Sequence, residues 1–470
     1  MRKEYFINPA VTVKGEIVLE KRENDYYLKV GTEGGSVYIH GDAGNVGGVK
    51  WTSDKFITFP IKYDTFHSFY FHLNFHAADG TYAEADFATQ PFVEVEVTFP
   101  LTFLNLETVF MPRTPGRLKN IMHGSPQKPE DIVMVEFWIP KSLEPSEIFL
   151  GKPYLSNEQP VKSLETSPQV NRLGQWTKKN WEGKTRDEKE LISNLQLELE
   201  KKLPEFPLKR TKFGGDFSIK REGTGFFRIH EENGRYWLCD PEGYLMFASC
   251  IDLISPTEFC PVSGIECLFE ELPPRDGLYA EAWSEDSVSF STANLIRAFG
   301  HNWKEAWKKI TTKRIRSWGF SGVGNWSSSY ARGQELPYFI QNPFPTTKKT
   351  LFRSMPDVFS NEYTENSAKC AEALIETRDD PYLVGYFLRN EPDWAFGTYN
   401  IAGLMLEKDE SFVTKDVFIK KMFMKYNTIE SFNKAWKVTF ESFKDLKKPI
   451  DKPWTLSETV FAFTNSSLFL

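Results

Sequence analysis

What most constrains this chain is a change of hydrophobic period part-way along it. In the first 155 residues, apolar side chains recur at every second position. Over 92–99, Val93, Val95, Val97 and Phe99 alternate with Glu94, Glu96 and Thr98, and over 132–139 Val133, Val135, Phe137 and Ile139 fall on one side. Period two puts one set on a buried face and the other in water. Further strand candidates lie at 15–19, 26–30, 36–40, 56–61, 69–75 and 148–150, separated by turn clusters such as Gly41 to Gly44. Many short strands with turns between them predict a β-sandwich of jelly-roll type over residues 1–155.

Residues 156–215 read differently. They are polar and Lys/Glu-rich, with one helical stretch at 188–202 whose apolar stripe is Leu191, Leu195 and 197–199, stopped by Pro204 and Pro207. This segment reads as a linker. From 216 to 470 strands alternate with helices, the rhythm of βα units around a parallel sheet. Asn233-Gly234 predicts a hairpin turn, 244–250 a compact apolar strand, and Trp303, Trp307 and Ile310 one face of a helix ending near Ser317. Short strands follow at 319–325 and 336–340. Ala368, Ala371, Leu374 and Ile375 mark the next helix, and 382–388 a buried apolar strand ending at Arg389-Asn390-Glu391-Pro392. The tail reads as helical at 417–424 and 429–438, with a break at Pro453.

Composition narrows the function. With 57 basic and 64 acidic residues the net charge is −7, which argues against a nucleic-acid partner. No stretch approaches a membrane span, and the start has no apolar signal region. The five cysteines form no C-x-x-C pair, so neither a zinc site nor a disulfide framework is expected; Cys260 and Cys267 flank a loop, and buried or free thiols are the reading. The chain is 15% aromatic, so its cores are Phe-rich or some rings face a ligand.

Asn390-Glu391, at the end of an apolar strand, is the sharpest chemical feature. A carboxylate at a strand C-terminus points to the catalytic face of a (β/α)8 barrel, and glycosidic cleavage needs an acid that protonates the leaving oxygen plus a second carboxylate. Trp326, after Asn325, and Trp394 also fall beyond strand ends; each either stacks on a sugar or caps the rim. Asp240, in Asp240-Pro-Glu-Gly243, reads as a structural turn residue. His67, His72 and His76 lie along a strand, where spacings of four and five do not converge, so no metal site and no cofactor are expected.

Leu173-Gly-Gln, Trp181-Glu-Gly-Lys, Gly225-Phe-Phe-Arg-Ile, 237–243, Trp318-Gly-Phe, 322–326 and 386–392 occur in an order that resembles the β-agarase-like glycoside hydrolases of clan A, family 50 in particular. The resemblance spans about 170–440. It implies a carbohydrate-binding-like sandwich, a (β/α)8 barrel and retaining hydrolysis of agarose or a related galactan, by a secreted or periplasmic protein. It also implies Glu391 as acid/base, Asn390 as the residue holding a sugar hydroxyl, and Asn325, Trp326 and Trp394 as substrate contacts. The family's nucleophile ends the seventh strand, whereas Glu391 ends the fourth, and the stretch after it is too short for four more units of about 30 residues. The nucleophile is therefore unknown, and residues 216–470 are expected to form the first half of a barrel. A fragment, a split enzyme completed by a second chain, a non-catalytic polysaccharide-binding derivative and a clan A β-galactosidase-like enzyme all stay open.

Overall fold

The computed structural model describes residues 2–23, 25–63, 65, 69–114, 119–160, 164, 167–204, 206–332, 336–396 and 400–451. The chain divides into two compact units, Met1–Glu165 with Pro345–Ser367 and Glu391–Leu470, and Thr166–Phe344 with Ala368–Asn390. His67, Pro453 and the terminus 461–470 lie outside the described residues.

In the first unit the described strands pair antiparallel in the order Lys3–Tyr5, Tyr154–Ser156, Phe56–Tyr63, Ser146–Leu150, Asp25–Asp42, Ile132–Ile139, Phe69–Ala77, Tyr82–Thr89 and Lys119–Gly124. Asp25–Asp42 is one strand where the sequence suggested two. Its first half pairs with Ser146–Leu150 and its second with Ile132–Ile139. Glycine carries it between them: at Gly34, φ is +69° and a Cβ would sit 2.2 Å from the Ile139 carbonyl oxygen. No other residue fits so close a backbone approach.

The two ends of this network face each other through phenylalanine. Val95–Pro100 pairs with Phe56–Tyr63, and Phe99 packs on Phe75 with ring centroids 4.8 Å apart. Phe137 stacks on Phe71 at 4.5 Å, and Phe59, Phe71, Phe75, Phe87, Phe99 and Phe137 are all fully buried. Each ring contributes about 1.5–3 kcal/mol by burial, so part of the chain's aromatic content serves this core. The expected alternation holds at Val93, Val95, Val97 and Phe99 and at Val135, Phe137 and Ile139. It fails at Val133, because a bulge between Ile132 and Met134 slips the period and buries Ile132 in its place. The tail helices Ile401–Glu407, Val413–Tyr426 and Ile429–Trp436 close a second core around Met405, Phe418, Met422, Phe432 and Trp436.

In the second unit Cys250–Ile251, Gly322–Val323, Tyr338–Gln341 and Leu383–Phe387 form a parallel sheet in that order. Helices Phe290–Phe299 and Trp303–Ser317 pack on it through Leu295, Ile296, Trp303, Trp307 and Ile315. The strand expected at 244–250 is two pieces: Leu245–Met246 continues the Asn233-Gly234 hairpin, and Cys250–Ile251 starts the parallel sheet. Leu383–Phe387 is an edge strand, half-buried at its start and exposed at Tyr386 and Phe387, not the buried strand its apolar run suggests. An apolar run of five cannot distinguish centre from edge, since only the neighbours decide burial. Helix Glu188–Glu200 is capped by Asp187, which accepts from the Glu190 N–H, and it buries no residue; Glu198 pairs with Arg314 of the Trp303–Ser317 helix. Asp240 is structural as expected. Its carboxylate is fully buried and accepts from Thr211 Oγ1 at 2.6 Å and from the N–H groups of Glu242 and Tyr244.

Candidate active site at the strand ends

Four parallel strands place their C-terminal ends along one sheet edge, where a barrel collects its functional side chains. Asp252 follows the first strand, and its Oδ1 accepts the Asn325 N–H at 2.7 Å. Gly324 lies between the second strand and Asn325, and a Cβ there would be 1.9 Å from the same Oδ1. Glycine is therefore required for Asp252 to grip the loop. The Asn325 side chain is 4% exposed, yet among the described residues neither its oxygen nor its nitrogen has a hydrogen-bond partner. Leaving such a group unpaired costs about 1–3 kcal/mol. Asn342, after the third strand, has an orphaned buried Oδ1 as well. Sequence reading missed Asp252 and Asn342, which no motif marks.

Trp326 has a left-handed backbone, with φ +57°. The residue is 39% exposed and its ring centroid lies 5.8 Å from that of Phe387, beside the fourth strand. Asn390, half-buried, ends the second unit. Glu391 follows it, exposed, with φ +34°. Non-glycine residues rarely adopt this backbone, and holding it costs of order 1–3 kcal/mol. Among the described residues no hydrogen bond or ion pair engages the Glu391 carboxylate. Glu391 and Trp394 both fall in the first unit. Trp394 lies in the turn Asp393–Ala395, and its buried indole N–H has no partner among the described residues.

The loop after Glu391 is held by a residue that sequence reading did not single out. Arg353 sits at the tip of the hairpin Thr350–Phe352/Met355–Pro356 with φ +50° and is buried. Its Nη1 donates to the carbonyls of Asp393 at 2.6 Å and Phe396 at 3.2 Å. Its Nε donates to Leu106 at 2.6 Å and its Nη2 to Met122 at 3.3 Å. Asp393 also accepts from the Ser354 hydroxyl.

A second polar cluster lies in the first unit. His72 gathers with Glu84 and Asp86, which could hold a metal ion among the described residues; it does not gather with His76, which pairs with Glu136 at 3.0 Å. Strand pairing places His72 opposite Asp86, a juxtaposition invisible to spacing along one strand. Burial opposes the charge of His72, but Asp86 at 2.7 Å and Glu84 at 3.4 Å outweigh it and raise the imidazole to about 9. Burial likewise opposes the charges of Asp86 and Glu136, and hydrogen bonds from His123, His72 and Tyr70, and from His76, Ser36 and Asn74, hold both low. A raised His72 adds stability that is full below its ordinary value of 6.5 and is lost as pH rises through about 9. The depressed carboxylates add stability that is full above their ordinary values of 3.8 and 4.5 and is lost as pH falls through their folded values. Thermal melts from pH 2 to 10 should therefore plateau near pH 5–6 and decline on both sides. A melting temperature still rising at pH 9 would refute the paired His72.

No family model matches the chain. Over 394 residues it is 26% identical to β-agarase B of Vibrio sp. (strain JT0107), covering 69% of this chain and 41% of that protein. To β-agarase A of the same organism it is 27% identical over 203 residues, 36% of this chain and 20% of that one. The chain resembles the β-agarases of glycoside hydrolase family 50. It spans about two fifths of the length of the first of these relatives and a fifth of the second. Among solved structures, an exo-β-agarase superposes with TM-score 0.56 at 20% identity, over 98% of this chain and 74% of that one. An agarase superposes with TM-score 0.55 at 22% identity, over 97% and 73%. The chain thus shares their β-rich, multidomain fold. Among the described residues no helix is long and apolar enough to cross a membrane.

Proposed function

We propose that this chain carries the jelly-roll sandwich, the linker and the first half of the (β/α)8 barrel of a retaining glycoside hydrolase acting on agarose or a related galactan outside the cytoplasm. The observation that carries the reading is the orphaned, buried amide of Asn325, beside an exposed Trp326 at the C-terminal edge of a parallel sheet. A sugar hydroxyl both donates and accepts, so it satisfies such an amide, and the Trp326 face supplies the apolar contact a pyranose ring needs. Glu391 is the proton donor and Asn390 holds a hydroxyl of the reacting ring. Trp394 offers its indole N–H to the substrate. We assign no nucleophile within this chain; the β-agarases that it resembles support the reading as a glycoside hydrolase.

The test is direct. Purified 470-residue protein incubated with neutral agarose oligosaccharides should bind them and release no reducing ends, since the covalent step lacks its nucleophile. Binding should weaken about tenfold in Asn325→Ala. Release of reducing sugar would overturn the placement of the nucleophile, and unchanged binding by Asn325→Ala would overturn the site.

A further inference from the structure

Strand pairing gathers three ligand-type side chains on one face of the first unit. Phe69–Ala77 carries His72, and Tyr82–Thr89 carries Asp86 directly opposite it, with Glu84 two residues before. Side chains two apart on a strand point the same way, so both carboxylates share the face of His72. His72 Nδ1 lies 2.7 Å from Asp86 Oδ1 and 3.4 Å from Glu84 Oε1. One ligand atom from each residue falls within 4.8 Å of the other two.

The contact between His72 and Asp86 is close but badly angled. His72 is 8% exposed, and even at 2.7 Å from a carboxylate oxygen its Nδ1 has no well-aligned hydrogen-bond partner among the described residues. Two polar atoms that meet without pointing at each other are arranged as donors to a third body. Donors around a tetrahedral zinc ion stand about 3.3 Å apart, given bonds of about 2.0–2.2 Å. The distances of 2.7 and 3.4 Å bracket that spacing.

The surroundings hold the three side chains in place. Tyr70 Oη donates to Asp86 Oδ2 at 2.6 Å, and His123 Nε2 stands 3.4 Å from the same oxygen, which leaves Oδ1 to face His72. The His72 ring packs against Trp138, with centroids 4.3 Å apart, and against Tyr70, nearly perpendicular to it at 5.0 Å. Outer partners of this kind fix ligand orientation in metal sites. Glu84, the most exposed of the three, lines a cleft of about 580 Å³ with Asn74, Tyr82, Glu136 and Trp138. The cleft gives an ion a way in and leaves one coordination position to water.

The donor set selects the ion. A neutral imidazole and two carboxylates carry two negative charges, which a divalent cation cancels. Ca²⁺ and Mg²⁺ prefer all-oxygen shells, whereas imidazole together with carboxylate suits zinc. We propose that His72, Glu84 and Asp86 bind one Zn²⁺ ion, with water as the fourth ligand, and that the ion clamps Phe69–Ala77 to Tyr82–Thr89. When a chelator removes the ion, a proton on His72 takes its place between the carboxylates, so the metal-free chain keeps the pH dependence of the paired imidazole. Nothing in the site depends on the galactan reading.

The experiment is calorimetric titration of the untagged, chelator-treated 470-residue chain with ZnCl2, beside thermal melts with and without the ion. Wild type should bind one ion and melt about 5–10 °C higher at about a hundredfold excess over Kd. His72→Ala and Asp86→Asn should each weaken binding at least ~100-fold, and Tyr70→Phe, which removes only an outer hydrogen bond, about tenfold. Glu84→Gln keeps the shape of a partly exposed side chain, so it tests the site even if His72→Ala fails to fold; it too should weaken binding at least tenfold. His76→Ala, in the neighbouring pair with Glu136, should bind zinc as wild type does. Co²⁺ in place of Zn²⁺ should give the intense visible absorption of a four-coordinate ion. Absence of any zinc-dependent heat or melting shift overturns the proposal. So does zinc affinity unchanged by His72→Ala and Glu84→Gln, tighter binding of Ca²⁺ than of Zn²⁺, or loss of the ion with Cys260→Ser, an exposed thiol.

Discussion

Glu391→Gln in the complete enzyme should lower kcat on neutral agarose oligosaccharides by about 10²–10⁴-fold, the usual worth of a positioned general acid, with substrate affinity unchanged. The amide keeps the shape and hydrogen-bonding reach of the carboxyl but has no proton to give to the leaving oxygen. The loss should therefore depend on the leaving group. An aryl glycoside that departs without protonation should lose far less in bond cleavage, and added azide should restore turnover of the enzyme intermediate in a retaining mechanism. This pattern separates proton donation from a structural role, because a misfolded loop would impair both substrates alike. Wild-type kcat on the oligosaccharide would remove Glu391 from the chemistry altogether.

The legible parts of this fold are those written in short-range pattern. Period-two alternation gave the buried faces of 93–99 and 135–139, Asn233-Gly234 its hairpin, and Trp303, Trp307 and Ile310 a buried helix face. What stayed hidden depends on partners distant in sequence. The bulge at Val133 arises from pairing with Phe69–Ala77, and the exposure of Leu383–Phe387 from its edge position. At the strand ends, Asn325 and Trp326 were marked in the sequence as candidates because they follow a glycine-rich strand. Asp252 was not, since its role is to hold a backbone N–H 73 positions away. The His72, Glu84 and Asp86 cluster illustrates the same limit, because spacing along one strand says nothing about which residue a neighbouring strand sets opposite.

Arg353→Ala is expected to destabilise the first unit by about 3–5 kcal/mol, among the largest effects a single substitution produces. The guanidinium serves carbonyls of Leu106, Met122, Asp393 and Phe396, and each buried carbonyl left unmade costs about 1–3 kcal/mol before water re-enters. The four acceptors come from three separate stretches of chain, so no neighbour can take over the whole set. Arg353→Lys should recover less than half the loss, because a single ammonium cannot reproduce the planar fork that reaches carbonyls on opposite sides. The measurement is urea unfolding followed by circular dichroism, with the midpoint read separately for the two units. If the loop after Glu391 is positioned through Asp393 and Phe396, Arg353→Lys in the complete enzyme should also lower kcat more than it raises KM. A variant that loses stability but keeps wild-type kcat would make Arg353 a structural clasp alone, and one that keeps both would mean the four carbonyls find other donors.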